Sequence, residues 1–228
     1  MRPVYRGRGI WAYLVQLSEA RARGQAAEAP PGAGVSLYST ISHVNEAAGR
    51  LLEGQGYTLA RHFWRMRIVM DQPPPAVEWP DGLSIRPFVP RQDDRATFDA
   101  MQEAFQDHWG YVPWRLETWR QLTIEREDFD PGLWFLAIDG DEIAGGSLCR
   151  SYPDEGWVNQ LGVRRPWRRK GLGLALLRHT FCEFYRREQP RVSLEVDSQN
   201  TAGATRLYRR AGMSVARQFD SYEKVIHD

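Results

Sequence analysis

Cysteine is scarce: the chain of 228 residues has 2, Cys149 on an expected strand and Cys182 on an expected helix. They supply no disulfide framework, and a reducing compartment, the cytoplasm, fits. The 5 histidines show neither HExxH nor Cys/His ligand spacing, so no structural metal is expected. No apolar run approaches the roughly 18 residues of a membrane helix, and the first residues lack an apolar signal core. Net charge is also nearly absent. With 30 Lys and Arg against 29 Asp and Glu, the balance is +1, and no global field draws the chain to nucleic acid or membrane. What remains is 42% hydrophobic content, enough for one full core and part of a second.

Positive charge is concentrated in one place, Arg164 to Lys170. Trp157 to Val163 (WVNQLGV) precedes it and reads as a buried strand. Leu174, Leu177, Phe181 and Phe184 follow at helical spacing. A strand, a basic Gly-rich turn and a helix together make an anion site. The first helical N–H groups have no acceptor within the helix, and the positive end of its dipole lies there. Gly173 is followed by Leu174 and Ala175, which excludes a Walker loop, and Leu176 stands where a dinucleotide fingerprint needs its third glycine.

The remaining pattern is Arg168-x-x-Gly171-x-Gly173. Downstream, VSLEVDSQNTAGATRLYRRAGM (192–213) carries Asn200, Ala204, Leu207, Tyr208 and Gly212. Together these resemble the GNAT superfamily of N-acetyltransferases. One departure is the spacing from Asn200 to Tyr208, which is one residue longer than usual, with an insert around Gly203.

The resemblance implies an α/β (α+β) GNAT fold, a mixed β-sheet with helices on both faces. It also implies acetyl-CoA as co-substrate. The pantetheine arm would pair with the backbone of Leu161, Gly162 and Val163, one N–H acting as an oxyanion hole. The pyrophosphate would lie on Arg168, Arg169, Lys170, Gly171, Leu172, Gly173 and Leu174, with Asn200 and Gly203 also at the cofactor. Tyr208 would be the general acid that protonates the leaving thiolate; by spacing alone it reads as an amphipathic helix Tyr. The strand before the loop carries Asn159 and Gln160, neither of which takes a proton, so Glu195 in the LEV run is the candidate base. Its alternative is a strand Glu paired to an Arg, and Asp154 and Glu155 could relay through water. His108 and Trp109 fall on the acceptor side; by spacing alone His108 reads as half-buried packing and Trp109 as core, with an aromatic acceptor wall as the alternative.

The start of the chain echoes this region. Arg6, Gly9 and Ile10 align with Arg168, Gly171 and Leu172; VSL at 35–37 repeats VSL at 192–194; Gly56 matches Gly212. This resembles a tandem GNAT protein of the mycothiol-synthase kind, with only the back half of the first copy in the sequence. Residues 1–70 form that partial, degenerate copy, 71–81 (DQPPPAVEWPD) a stiff Pro-rich linker, and 82–228 a complete domain in the order βααβββαβαβ. In the first copy Trp11, Tyr38 and Leu52 stand where the second has Gly173, Glu195 and Tyr208. It is therefore expected to bind no acetyl-CoA. The missing strands would leave a raw edge, covered by the second domain or by a second protomer in a homodimer.

The implied activity is direct transfer of an acetyl group to a primary amine in a ternary complex, because no Cys or Ser takes a recognisable nucleophile position. A non-catalytic acyl-CoA-binding sensor is the alternative. A nucleic-acid binder is disfavoured by the single short basic cluster. The amine, a small molecule or a peptide, is not legible.

Overall fold

The computed structural model describes residues 3–5, 7–26, 34–200 and 203–227; Arg6 of the expected first loop lies outside them. The elements are α1 (Ile10–Ala26), β1 (Val35–Ser42), α2 (Glu46–Gly54), β2 (Thr58–Val69), β3 (Ser84–Pro87), α3 (Asp94–Phe105) and α4 (Leu116–Leu122). They continue with β4 (Trp134–Asp139), β5 (Glu142–Ser151), β6 (Gly156–Val163), α5 (Leu172–Arg186), β7 (Arg191–Asp197), α6 (Ala204–Arg210) and β8 (Ser214–His227). The strand order is β1-β8-β2-β7-β6-β5-β4-β3, a mixed sheet in which β6 and β7 are parallel. From β3 onward the order of elements is the expected one.

Two compact units are present. The first comprises Met1–Trp64, Asp197–Gln199 and Arg217–Asp228; the second comprises Arg65–Val196 and Asn200–Ala216. The cuts fall inside β2, β7 and β8 and not at the Pro-rich stretch.

In the first unit, β8 pairs antiparallel with β1 from Val35↔His227 to Ser42↔Phe219. Val15, Leu52, Tyr57 and Tyr222 form its core, with Trp11 packed against them. Buried Glu19 is neutralised by Arg23 at 3.0 Å and Lys224 at 2.8 Å. Asp220, also buried, accepts from Nδ1 of both His43 and His62 at 2.8 Å.

In the second unit, β4 shows why the sequence there is continuously apolar. Trp134 and Leu136 face α3 and α4, where they pack with Phe98, Met101 and Trp119. Ala137 faces α5 with Leu172 and Leu176, and Phe135 meets the His179 ring at 4.7 Å. Strand side chains alternate, so a strand covered on both faces needs apolar residues at every position. Aromatic pairs tie the α3–α4 side together: Phe88–Trp134 at 5.0 Å, Trp119–Trp134 and Phe98–Trp119 each at 5.7 Å. Each contributes about 0.5–1.5 kcal/mol beyond its buried area.

The Pro-rich stretch has no regular structure, but it is not a free spacer. Trp79 packs on the Leu172–Leu176 cluster, 5.8 Å from the His179 ring. Helix ends differ from expectation. Phe98, Met101, Phe105 and Trp109 keep helical spacing and lead to an expected helix over 94–109; α3 stops at Phe105, where His108 N–H turns back to the Phe105 carbonyl and Gly110 takes φ 69°. For the second, Leu116, Trp119 and Leu122 lead to an expected helix over 114–125, but it covers only Leu116–Leu122, because Arg115 is extended and Thr123 leaves helical geometry. The last strand, expected near 222–226, runs over Ser214–His227, and α5 begins at Leu172.

Glycines bring α3 down onto the sheet. A Cβ on Gly162 would lie 3.0 Å from both Ala104 Cβ and Met101 Sδ, and one on Gly145 would lie 2.5 Å from the Gly162 carbonyl oxygen. The latter contact is backbone on backbone and has no side chain to yield. Gly145→Ala should therefore lower the denaturation midpoint by an amount equivalent to about 1–3 kcal/mol, measured in urea with unchanged slope. An unchanged midpoint would show that β5 and β6 have room to move apart.

Candidate functional site

Strand β6 pairs with β5 from Gly145↔Val163 to Ser151↔Gly156, with a bulge at Leu148/Cys149. Its pairing with β7 is much shorter, Gly156↔Val192 and Trp157↔Ser193. Beyond Trp157 the two parallel strands part, and the β7-facing backbone groups in the second half of β6 have no strand partner among the described residues. An extended chain of amides can add to such an edge. Leu161, Gly162 and Val163 lie on this stretch, as expected. Gly162 is buried against α3, while Leu161 and Val163 pack toward the Leu172–Leu176 cluster.

The chain leaves Val163 into the basic loop, whose arginines divide into two groups. Arg164 donates to Glu103 at 2.6 Å and to Glu142 at 3.0 Å. Arg165 pairs with Asp107. Arg168 is a clip: Nε donates to the Val163 carbonyl, Nη2 to the Ala104 carbonyl and Nη1 to Asp107, each at 3.0 Å. These arginines hold the Asp107 carboxyl below the ordinary range, Arg165 more than Arg168. The Arg168 side chain, expected at the pyrophosphate, is instead committed to fixing the loop against the end of α3. Arg169 and Lys170 are exposed and, among the described residues, make no ion pair. Arg169 has φ 63° and Gly171 φ 89°. This left-handed path leads into α5, which has no side-chain cap. Leu174 and Ala175 N–H turn back to the Gly171 carbonyl, and the earlier N–H groups have no carbonyl one turn before them. The loop thus offers an anion backbone dipoles and two free cations.

Gly173 has a packing task. A Cβ there would come within 3.2 Å of Leu207 Cδ2 and 3.7 Å of Val163 Cγ2. The glycine lets α5 approach α6, and so fixes the residue beside Leu207, which is Tyr208. Tyr208 is 8% exposed, and burial pushes its phenol up to about 12. It therefore carries its proton through neutral and mildly alkaline pH. Asn200 and Gly203 start α6: Asn200 Oδ1 accepts from Ala204 N–H at 3.3 Å, and Gly203 takes φ 85°. Both have a structural role in this arrangement.

Glu195 is exposed on β7 and bound by Arg65. Both bonds, 2.8 and 3.3 Å, fall on Oε1, which leaves Oε2 open. The Arg65 guanidinium lies 4.8 Å from the Trp157 ring centre. Glu155 is engaged by Arg67 at 2.8 Å and Ser193 at 2.6 Å. Cys149 is buried and its thiol pushed up to about 12, which leaves it inert as a nucleophile.

On the other face, α3, α4 and the loop around Gly110–Trp114 enclose a cavity of about 210 Å³. Phe98, Phe105, Tyr111, Trp114 and Trp119 line it, with Gln160 from β6. His108 and Trp109 are not among the lining residues; the His108 ring leans on Phe105 at 4.6 Å. Gln160 escaped the sequence reading because an amide on an apolar strand carries no titration signal. Only its place two residues before Gly162 on a face-alternating strand could have pointed to α3.

Comparisons with known proteins follow this geometry. The Acetyltransferase (GNAT) family model matches residues 95–213. A mycothiol acetyltransferase of Thermobispora bispora is 33% identical over 222 residues, covering 94% of this chain and 70% of that protein. One from Streptomyces scabiei is 33% identical, covering 93% and 66%. This chain thus spans about two thirds of the length of those relatives. Among solved structures, a GCN5-related N-acetyltransferase from Sphaerobacter thermophilus matches with TM-score 0.85 and 41% identity, covering 100% of this chain and 71% of that one. A tandem GNAT protein from the clavulanic acid biosynthesis pathway shares the fold, with TM-score 0.71, 17% identity and coverage of 100% and 73%.

Arg168→Ala would strip donors from two backbone carbonyls and a carboxylate. The unfolding free energy should fall by about 1–3 kcal/mol, with Arg168→Lys recovering only part, because an ammonium cannot reproduce the fork. Equal stability of the Ala variant in urea denaturation would show that the clip is dispensable.

Proposed function

This chain belongs to the GNAT acetyltransferase family, and from that premise we propose that it moves the acetyl group of acetyl-CoA directly to the primary amine of a small molecule. The observation that supports this most is the parting of β6 from β7 beside an uncapped, basic helix start. One feature suits a peptide-like arm and the other a pyrophosphate, and both lie at the C-terminal end of β6. No helix among the described residues is long and apolar enough to cross a membrane, and the relatives named for mycothiol favour a small-molecule acceptor.

In this reading Arg169, Lys170 and the backbone N–H groups of Gly171 to Leu174 hold the pyrophosphate. Arg168 acts from behind by holding the loop. The free edge of Leu161–Val163 aligns the thioester and supplies an N–H to the carbonyl oxygen. The amine nitrogen bonds to the carbonyl carbon, the carbon–sulfur bond breaks, and Tyr208 gives its proton to the departing thiolate. Glu195 takes the proton lost by the amine on Oε2, directly or through water, while Arg65 fixes the carboxylate through Oε1. Burial keeps this phenol protonated when the thiolate forms, but at about 12 it is a weaker acid than the departing thiol, so the transfer requires a charge or hydrogen bond from the bound cofactor to stabilise the phenolate. The partial first copy, residues 1–70, plays a structural part. Trp11 and Leu52 fill its core, and Tyr38 donates to Glu223 at 2.7 Å. A homodimer through it is not required by this reading.

Two measurements test the proposal. Calorimetric titration should give one acetyl-CoA per chain, with affinity lost in the Arg169→Glu/Lys170→Glu double variant; two sites would overturn the structural role of the first copy, and undiminished affinity would move the pyrophosphate elsewhere. In a thiol-release assay, Tyr208→Phe should lower kcat by about 10²–10⁴-fold with acetyl-CoA affinity unchanged. The wild-type kcat/KM profile should show no alkaline fall from Tyr208 at the ordinary phenol midpoint of about 10, because a raised phenol keeps its proton until its folded value near 12. An unchanged kcat would remove Tyr208 as the acid.

A further inference from the structure

Helix α1 exposes an apolar stripe. Ile10, Tyr13, Leu14 and Leu17 recur at three- and four-residue spacing and are 38%, 64%, 47% and 54% exposed. The face that packs inward carries Trp11, Val15, Glu19 and Ala22. The internal repeat offers a comparison. At the spacing that aligns Ile10 with Leu172, Val15 falls on Leu177 and Ala22 on Phe184, residues buried in both helices. Tyr13 and Leu14 then fall on Ala175 and Leu176, and Leu17 on His179. In α5 this side is covered. Leu172 and Leu176 pack with Ala137 of β4 and Ala144 of β5, and the His179 ring meets Phe135. The stripe on α1 is thus the side that a helix of this repeat lays on further strands, and in the first unit no strand among the described residues covers it.

Strand β1 is open as well. It stands first in the sheet order and, among the described residues, pairs only with β8. Its sequence, VSLYSTIS, has no charge and no proline, the usual devices that keep a sheet edge from pairing. That sequence suits pairing with itself. Directly opposed residues of an antiparallel pair share a sheet face. A two-fold axis through Ser39 therefore sets Leu37 against Ile41 twice, on the side that packs with α1. On the other face it sets Tyr38 against Thr40 and Ser36 against Ser42. The same axis keeps both α1 helices on one face of the joined sheet, antiparallel and side by side. A contact face of roughly 25 Å by 20 Å on each copy removes on the order of 1,000 Å² from water in total, the size a specific dimer requires.

We infer that the α1 stripe and the open edge of β1 form a two-fold interface between two copies of this chain. A second copy is the occupant because the edge opposes itself in one register with apolar residues on the helix side and no charge on either side. The inference does not rest on the acetyl-transfer reading.

The test is sedimentation equilibrium of the full chain, joined to cysteine cross-linking. The wild type should sediment in the micromolar range at twice the 26.3 kDa of one chain. Leu14→Glu/Leu17→Glu puts two carboxylates on a helix face that is exposed in the single chain, so the fold is kept. It should raise the dimer dissociation constant about a hundredfold or more, because pairing would bury those charges. Far-ultraviolet circular dichroism of each variant is the folding control. Ser39→Cys should form an intermolecular disulfide under mild oxidation, since the axis brings the two copies of that residue together. Ser36→Cys, which faces Ser42 of the other copy, should cross-link no more than the wild type. A wild type that remains a single chain into the submillimolar range overturns the proposal. So does a dimer that survives Leu14→Glu/Leu17→Glu unweakened, or one that cross-links through Ser36→Cys and not through Ser39→Cys.

Discussion

The second unit is organised by the separation of two parallel strands after only two residue pairs. β6 is held firmly on its other side: the Gly145 position touches the Gly162 carbonyl, and Met101 and Ala104 sit on Gly162 from above. β7 is tied at its start, where Ser193 donates to Glu155 and accepts from Arg67. With one strand fixed to its neighbour and the other pinned near its beginning, the gap between them cannot close by a register shift. The unpaired backbone, the loop that leaves Val163 and the start of α5 all take their positions from it. Unpaired amides in a sheet are costly to bury, and the proposed cofactor arm would complete this ladder.

Most of the architecture was legible in the sequence because periodicity records burial. WVNQLGV, the Asp139-Gly140 turn, the α5 stripe and the Ala204–Arg210 helix each carry a local signal. Helix ends were less legible: α3 stops where Gly110 and His108 form a turn, and an apolar residue at Trp109 continues the pattern past the real end. The site was legible by type more than by task. Arg168, Gly173 and Asn200 are where the motif puts them, but their side chains or spaces serve packing and hydrogen bonds inside the protein. A motif records which residue is needed and does not separate contact with a ligand from support of the loop that makes contact. Gln160's place opposite α3 was illegible, since it depends on how closely that helix approaches β6, which glycines set.

The first unit keeps three aligned side chains engaged internally. Trp11, Tyr38 and Leu52, which the internal sequence alignment sets against Gly173, Glu195 and Tyr208, all have partners within it. Two serve the core and one an outward hydrogen bond to Glu223. The buried Asp220 between His43 and His62, and Glu19 between Arg23 and Lys224, show that this unit satisfies its own charges internally.

The division of the basic loop has a consequence for how it responds to its medium. Seven residues from Arg164 to Lys170 include five cations, yet three are neutralised by Glu103, Glu142 and Asp107. An anion arriving at α5 therefore meets a field generated largely by fixed peptide dipoles at contact distance, with two flexible cations at the rim. Dissolved electrolyte screens exposed charges over about 8–10 Å but hardly touches interactions at contact distance. For the pyrophosphate proposed to sit here, the attraction at this loop is thus short-ranged and tolerant of ionic strength.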